Sequence, residues 1–289
     1  MVGCPRYIAS KIKRGDFMRL FHYTDVNAIK SMMEKQVLWL TDLRFMNDSA
    51  EMNHGLEYVA KSLSNPAVGA RVNPQYVESA LKFVQGNLEF EFGEEDWLSP
   101  IFSCSFSKAR DLLSQWRAYG SYAIEFEVDE DFPSLSECVY EESQKKITAF
   151  ETCIHALKNV GRSHLMHGGG LDEEGFSAYS DLVKTAARFK HHSFVEEQEY
   201  RMIRGTHITD IPEVLYRSKG DMLIPYIEVA FPFQSITAIH VGPMPNQNLA
   251  FISMQNYASK IEYEWNRANP EQDHDIAVIR SDIPYRSTI

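Results

Sequence analysis

Long apolar runs, clustered cysteines and phosphate-binding glycine loops are all missing from this chain. No uninterrupted apolar stretch approaches the roughly 18 residues of a membrane span, and the basic "KIKRGDFMR" near the N-terminus has no apolar signal core behind it. A soluble, cytoplasmic protein is therefore expected. Cys4, Cys104, Cys138 and Cys153 lie too far apart for a zinc knuckle or a redox pair, so reduced thiols are expected. No G-x-x-x-x-G-K-[ST], G-x-G-x-x-G or G-x-S-x-G occurs, which argues against triphosphate use and an ordinary serine hydrolase. Basic residues are also scarce: 29 Lys and Arg face 40 Asp and Glu, for a net charge of −11. That surface repels polyphosphate and argues against nonspecific duplex binding, although a local basic groove remains compatible with it.

What is present suffices for one large core. With 44% hydrophobic residues in 289, the chain reads as a single α+β domain over 1–289, with a mixed or antiparallel sheet, flanking helices and a helical insertion at about 140–190. A first strand is expected at 18–23. A helix follows, capped by Thr24 or Asp25, with Val26, Ile29 and Met33 at helical spacing. "VLWL" is a second strand. Asn47 or Asp48 is placed to cap the next helix, with Met52, Leu56, Val59 and Leu63 as its stripe. "SNPAVGARVNP" reads as a loop, 74–90 as a helix and "SPIFSCSFS" as an alternating strand. "RDLLSQWRAYG" is a short helix closed by Gly120, and "SYAIEFEVD" a strand. The 140–190 helices break at "HGGG", a linker by composition. "FVEEQEYRMIRG", "MLIPYIEVAF" and "SITAIHVGP" read as strands, 246–261 as a helix and "IAVIRSDIPY" as a last strand.

Strand alternation gathers polar groups on three faces. Leu20, His22 and Thr24 share one side of the first strand, with Phe21 and Tyr23 on the other. In "IFSCSFS", Ser103 and Ser105 oppose Phe102, Cys104 and Phe106, which makes Cys104 a core thiol. In "VEEQEYRMI", Glu197, Glu199 and Arg201 form one row. Each alone has a structural explanation: a core histidine, a solvated serine edge, an ion-paired sheet face. Three such faces in one domain are an uneconomical way to build a core, and point to a polar cleft. His164, His167, His191 and His192 lack carboxylate or cysteine partners at ligand spacing, so no metal is expected.

Several blocks then resemble the bacterial family catalogued as domain of unknown function 2971: "LFHYTDVNAIKSMMEKQVLWLTDLRFMNDSAE", "FSCSFSKARDLLSQWRAYG", "YAIEFE", "FKHHSFVEEQEYRMI" and "HVGP". More distantly, the first strand and helix, the Ser-x-Ser strand and the Glu-x-Glu segment resemble mono-ADP-ribosyltransferases. That resemblance implies the corresponding fold, NAD as substrate and an unidentified macromolecular acceptor, in a setting such as phage defence or a toxin system. Carried over, His22, with Thr24 beside it, binds ribose and counts among the catalytic residues, and Tyr23 and Tyr122 are the candidates to stack on nicotinamide. Ser103 and Ser105 shape the nicotinamide pocket, and Glu199 is catalytic. Arg117 and Arg201 neutralise the pyrophosphate, and Glu197 takes a proton from the acceptor or binds it. Such chemistry needs a fixed carboxylate where the ribose becomes oxocarbenium-like. Two other classes stay open. One is a non-catalytic nucleotide- or protein-binding sensor; the other is a glycosidase-like or metal-dependent nuclease-like hydrolase using Glu197 and Glu199.

Overall fold

The computed structural model describes residues 17–46, 49–91, 100–205 and 213–284. In chain order the strands and helices are β1 (Met18–Thr24), α1 (Val26–Lys35), β2 (Val37–Asp42), α2 (Ser49–Leu63), α3 (Pro66–Gly69), α4 (Pro74–Glu91), β3 (Ile101–Ser107) and α5 (Leu113–Tyr119). There follow β4 (Tyr122–Val128), β5 (Ser136–Glu137), α6 (Glu142–Met166), α7 (Glu173–Ala186), β6 (Glu199–Gly205), β7 (Leu215–Lys219), β8 (Met222–Ala230), β9 (Ile236–Val241), α8 (Gln247–Ala268) and β10 (Ala277–Arg280). The α+β class and the mostly antiparallel sheet agree with the expectation; among the described strands only β9 and β10 pair in parallel. No described helix is long and apolar enough to cross a membrane.

Sheet order is β10-β9-β4-β1-β3-β2-β8-β7, with β6 on β3 and β5 on β6. The pairing of β3 divides the sheet. One edge of β3 joins β6 over all seven of its residues. Its other edge meets β1 only at Ser107, and β2 only at Phe102 and Ser103. Between those points β1 and β2 leave β3, and a fork opens over Cys104, Ser105 and Phe106. Strand pairing alone would leave backbone groups exposed at its floor.

Two large cores flank this sheet, beside a small cluster of Phe21, Tyr23, Trp116 and Ala123. One face carries Leu20, Leu38, Leu40, Phe102, Phe106, Ile124, Phe126 and Met202, covered by Ile29, Met32 and Met33 of α1 and by Met254, Ala258, Ile261 and Trp265 of α8. On the other, Ile101 and Ile203 meet a helical lobe whose interior includes Val59, Val84, Cys153, Leu157, Val160 and Leu182. The lobe is therefore built from two stretches, α2 to α4 as well as α6 and α7, rather than from 140–190 alone. Its helices approach closely: a Cβ at Gly161 would sit 2.0 Å from the Tyr76 carbonyl oxygen of α4. Gly161→Ala is expected to force α4 and α6 apart and cost about 1–3 kcal/mol, read as a lower urea midpoint at unchanged slope.

Local signals explain most boundaries. Asp25 caps α1, its carboxylate accepting from the amides of Asn27 at 2.8 Å and Ala28 at 3.0 Å. The buried stripe is Ile29, Met32 and Met33, whereas Val26 is exposed. The segment read as a loop contains α3, because Asn65 caps it ahead of Pro66 at the first helical position. The caps proposed at Asn47 and Asp48 lie outside the described residues. Glu197 does not belong to a strand: it ends a 3-10 turn at His192–Glu197, Gln198 turns with φ 44°, and β6 begins at Glu199. The strand row of Glu197, Glu199 and Arg201 is thus corrected to Glu199 and Arg201, with Glu197 reaching the same place from the turn.

Candidate functional site

The fork holds a cavity of about 670 Å³, within the roughly 300–1,000 Å³ usual for small-molecule sites. His22, Tyr23 and Thr24 of β1 and Ser103, Cys104 and Ser105 of β3 line it, together with Trp39 and Thr41 of β2. Gln115, Ala118 and Tyr119 of α5 and Tyr216, Arg217 and Lys219 of β7 complete much of the wall. The helix α5 can close on β1 because residue 120 is glycine: it has φ 133°, and a Cβ there would lie 2.4 Å from the Thr24 carbonyl oxygen.

His22 repairs the fork. Its Nδ1 lies 2.9 Å from the Ser105 carbonyl oxygen, which can only accept, so Nδ1 carries the proton. In the neutral ring Nε2 is then an acceptor, and among the described residues no group bonds to it. Burial lowers the His22 pKa, the Ser105 carbonyl opposes that shift and the Arg217 charge adds to it. The imidazole is therefore held neutral. Cys104, whose sulfur is 3.6 Å from Nδ1, is pushed up to about 12 by burial and stays a thiol.

Across the floor, the Ser103 and Ser105 hydroxyls are buried without a hydrogen-bond partner. Such atoms are costly unless a ligand or water completes them. Of the two described cations that line the cavity, Lys219 is exposed and Arg217 half-buried. Arg217 donates to Thr41 Oγ1 at 2.8 Å and stacks 5.2 Å from the Trp39 ring centroid and 5.8 Å from that of Tyr226. No described carboxylate lies within ion-pair distance of it; burial lowers its pKa and the Asp25 charge opposes that shift. At the rim, Phe45 and Tyr216 also line the cavity although 37% and 61% exposed. Asp25 is the one carboxylate among the described lining residues, and it is engaged as the cap of α1.

The structure thus brings His22, Tyr23, Thr24, Ser103 and Ser105 together and places the other predicted residues elsewhere. Tyr23 is occupied: its hydroxyl donates to the Ala109 carbonyl at 2.8 Å and its ring packs edge-on against Trp116. Arg117 is exposed and does not line the cavity. Register puts Glu199 opposite Ser107 and Arg201 opposite Ser105, so both share the sheet face of Ser103 and Ser105, the reverse of that of His22, and neither lines the cavity.

Glu199 is buried in an ion network. Arg201 grips it with two bonds, of 2.7 and 3.1 Å, and Lys190 Nζ reaches it at 2.7 Å and Glu197 at 2.8 Å. Burial opposes ionisation of Glu199, but Arg201 and Lys190 outweigh it and hold the carboxyl at about 2. Arg201 also donates to the Ala187 carbonyl at 2.7 Å, so it is not available to a pyrophosphate. Tyr119 is within electrostatic reach of both regions. It lines the cavity, and its pKa, raised to about 12 by burial, is also raised by Glu199 and Glu197 and lowered by Lys190 and Arg201.

Sequence reasoning missed Gln115, Arg217 and Lys219. Arg217 had a usable signal, because Gly220 and Asp221 form a two-residue loop between alternating segments, a hairpin signature. Gln115 had none. Among the described residues no group of three His, Cys, Asp or Glu side chains is placed to hold a metal. No family model, curated protein or solved structure matches the chain.

Proposed function

We propose that the fork cavity binds a phosphorylated nucleotide of the NAD and ADP-ribose class, in a protein that resembles ADP-ribosyltransferases. One observation carries most weight: two buried, unpartnered hydroxyls, Ser103 and Ser105, share a cavity with an open imidazole acceptor and an unpaired guanidinium. Ribose supplies hydroxyls that can donate to His22 Nε2 and exchange hydrogen bonds with the serines. A phosphate supplies the anion that Arg217 lacks. Nucleotide at 100 times its Kd would stabilise the fold by about 2.7 kcal/mol. An upward shift in Tm with NAD or ADP-ribose is expected, reduced in the Ser103→Ala/Ser105→Ala double variant. Neither ligand changing Tm or giving heat in calorimetry would end the proposal.

Cleavage of NAD and transfer of ADP-ribose to a macromolecule is a second, stronger reading, favoured by the position of Tyr119. That side chain lines the cavity and is near enough to the Glu199 cluster for its charges to act on the phenol. Displacing it would bring a carboxylate kept ionised by Lys190 and Arg201 towards the ligand, where developing positive charge needs it. Release of nicotinamide, lost in Glu199→Gln with binding of ADP-ribose retained, separates an enzyme from a sensor. Binding without release at any acceptor concentration leaves the sensor.

A further inference from the structure

We infer that Gln115 determines ligand specificity in this cavity by pairing its side-chain amide with a planar donor–acceptor edge, a carboxamide or the edge of a nucleobase. The inference rests on nucleotide binding in the fork and says which part of the nucleotide is read.

Gln115 is only 6% exposed, lies on α5 and lines the cavity. Its amide makes no hydrogen bond to any described protein group, yet its polar atoms are not sealed into the core either. With the side chain 6% exposed and its amide facing only the cavity, the hydrogen bonds it can make are left to whatever occupies that space. The next residue, Trp116, shows the alternative: it is also buried, but its indole N–H is satisfied by Asp111 at 2.8 Å. Ser103, 1% exposed, is a second lining residue of the same cavity whose hydroxyl has no partner.

The chemistry of an amide narrows what completes it. One carbonyl acceptor and one N–H donor lie side by side in a plane, so the best complement offers a donor beside an acceptor with the same spacing. A carboxamide has that edge, and so does adenine. Phosphate and ribose do not present it as a plane. Arg217 for the anion, His22 and the serines for the sugar, and Gln115 for the flat edge give each part of a nucleotide its own partner.

The test uses the full chain and four probes: NAD, nicotinamide mononucleotide, AMP and ribose 5-phosphate. Gln115→Leu keeps the size and removes both polar atoms. Expected is a loss of about tenfold in affinity for NAD, no change for ribose 5-phosphate, and an unliganded Tm equal to or above wild type. The last readout separates recognition from structure, since an amide that holds the fold together would lower the unliganded Tm when removed. Loss confined to nicotinamide mononucleotide assigns the carboxamide; loss confined to AMP assigns the adenine edge. Unchanged NAD affinity in Gln115→Leu, or a lowered unliganded Tm with equal losses for every probe, overturns the inference and leaves nucleotide binding standing. Failure of the wild type to bind any of the four overturns both.

Discussion

Arg201→Ala is expected to lower the unfolding free energy by about 3–5 kcal/mol, the cost of removing one partner from a buried ion network. Two carboxylates, Glu197 and Glu199, would then share the single ammonium of Lys190, leaving a desolvated negative charge uncompensated. The Ala187 carbonyl would lose its guanidinium donor as well. Arg201→Lys should recover little, because one ammonium cannot span the carboxylate of Glu199 and the carbonyl of Ala187 as the planar fork does. Acid sensitivity follows with a definite sign. Glu199 is held at about 2 in the folded state, below the unfolded carboxylate value of roughly 4.3. Its contribution is therefore complete above that unfolded value and is lost as pH falls towards 2. Without Arg201 the folded value rises, so the variant should lose less additional stability on acidification than wild type. Urea titrations between pH 3 and 7 measure both quantities. A cost below about 1 kcal/mol would mean that water screens the network.

The same cluster shows what a strand pattern conveys and what it conceals. Parity placed Ser103 and Ser105 together and set Cys104 into the core, because side chains alternate wherever a segment is extended. It also placed Glu197 in line with Glu199, and there it failed: positive φ at Gln198 ends the extended geometry before the first glutamate. Likewise Asp25 was legible as a helix cap, since capping is local. The fork was not. Whether β1 and β2 stay on β3 or leave it depends on long-range register, and His22 acquires its meaning only because the Ser105 carbonyl is left without a strand partner on that side. Arg201 and Arg217 are equally cationic in sequence. One is neutralised by Glu199 two residues away on its own strand; the other reaches the cavity without a carboxylate because the β7–β8 hairpin sets it beside Thr41, Trp39 and Tyr226.

That difference makes Arg217→Met the sharpest test of the cavity. The affinity for ADP-ribose should fall by about 2–5 kcal/mol, or roughly 30-fold or more, as expected when a desolvated charge loses its partner. Folding stability should move by less than about 1 kcal/mol. Methionine forfeits the Thr41 bond and the aromatic stacking, but it also removes a partly desolvated cation that no described carboxylate pairs directly and only the more distant Asp25 charge favours. A second, independent signature lies at His22. Burial is the main cause of its lowered pKa and the charge of Arg217 adds to it, so the variant's imidazole should titrate at higher pH than wild type. Ligand binding that uses Nε2 as an acceptor requires the neutral ring. Wild type should therefore keep its affinity below the ordinary histidine pKa of about 6.5, and any residual affinity of the variant should be lost at higher pH. Imidazole resonances and calorimetry across pH 5–8 read the two effects on one sample. An upward shift of His22 with unchanged ADP-ribose affinity would show that Arg217 faces the histidine without facing the phosphate, and would remove the anion from this cavity.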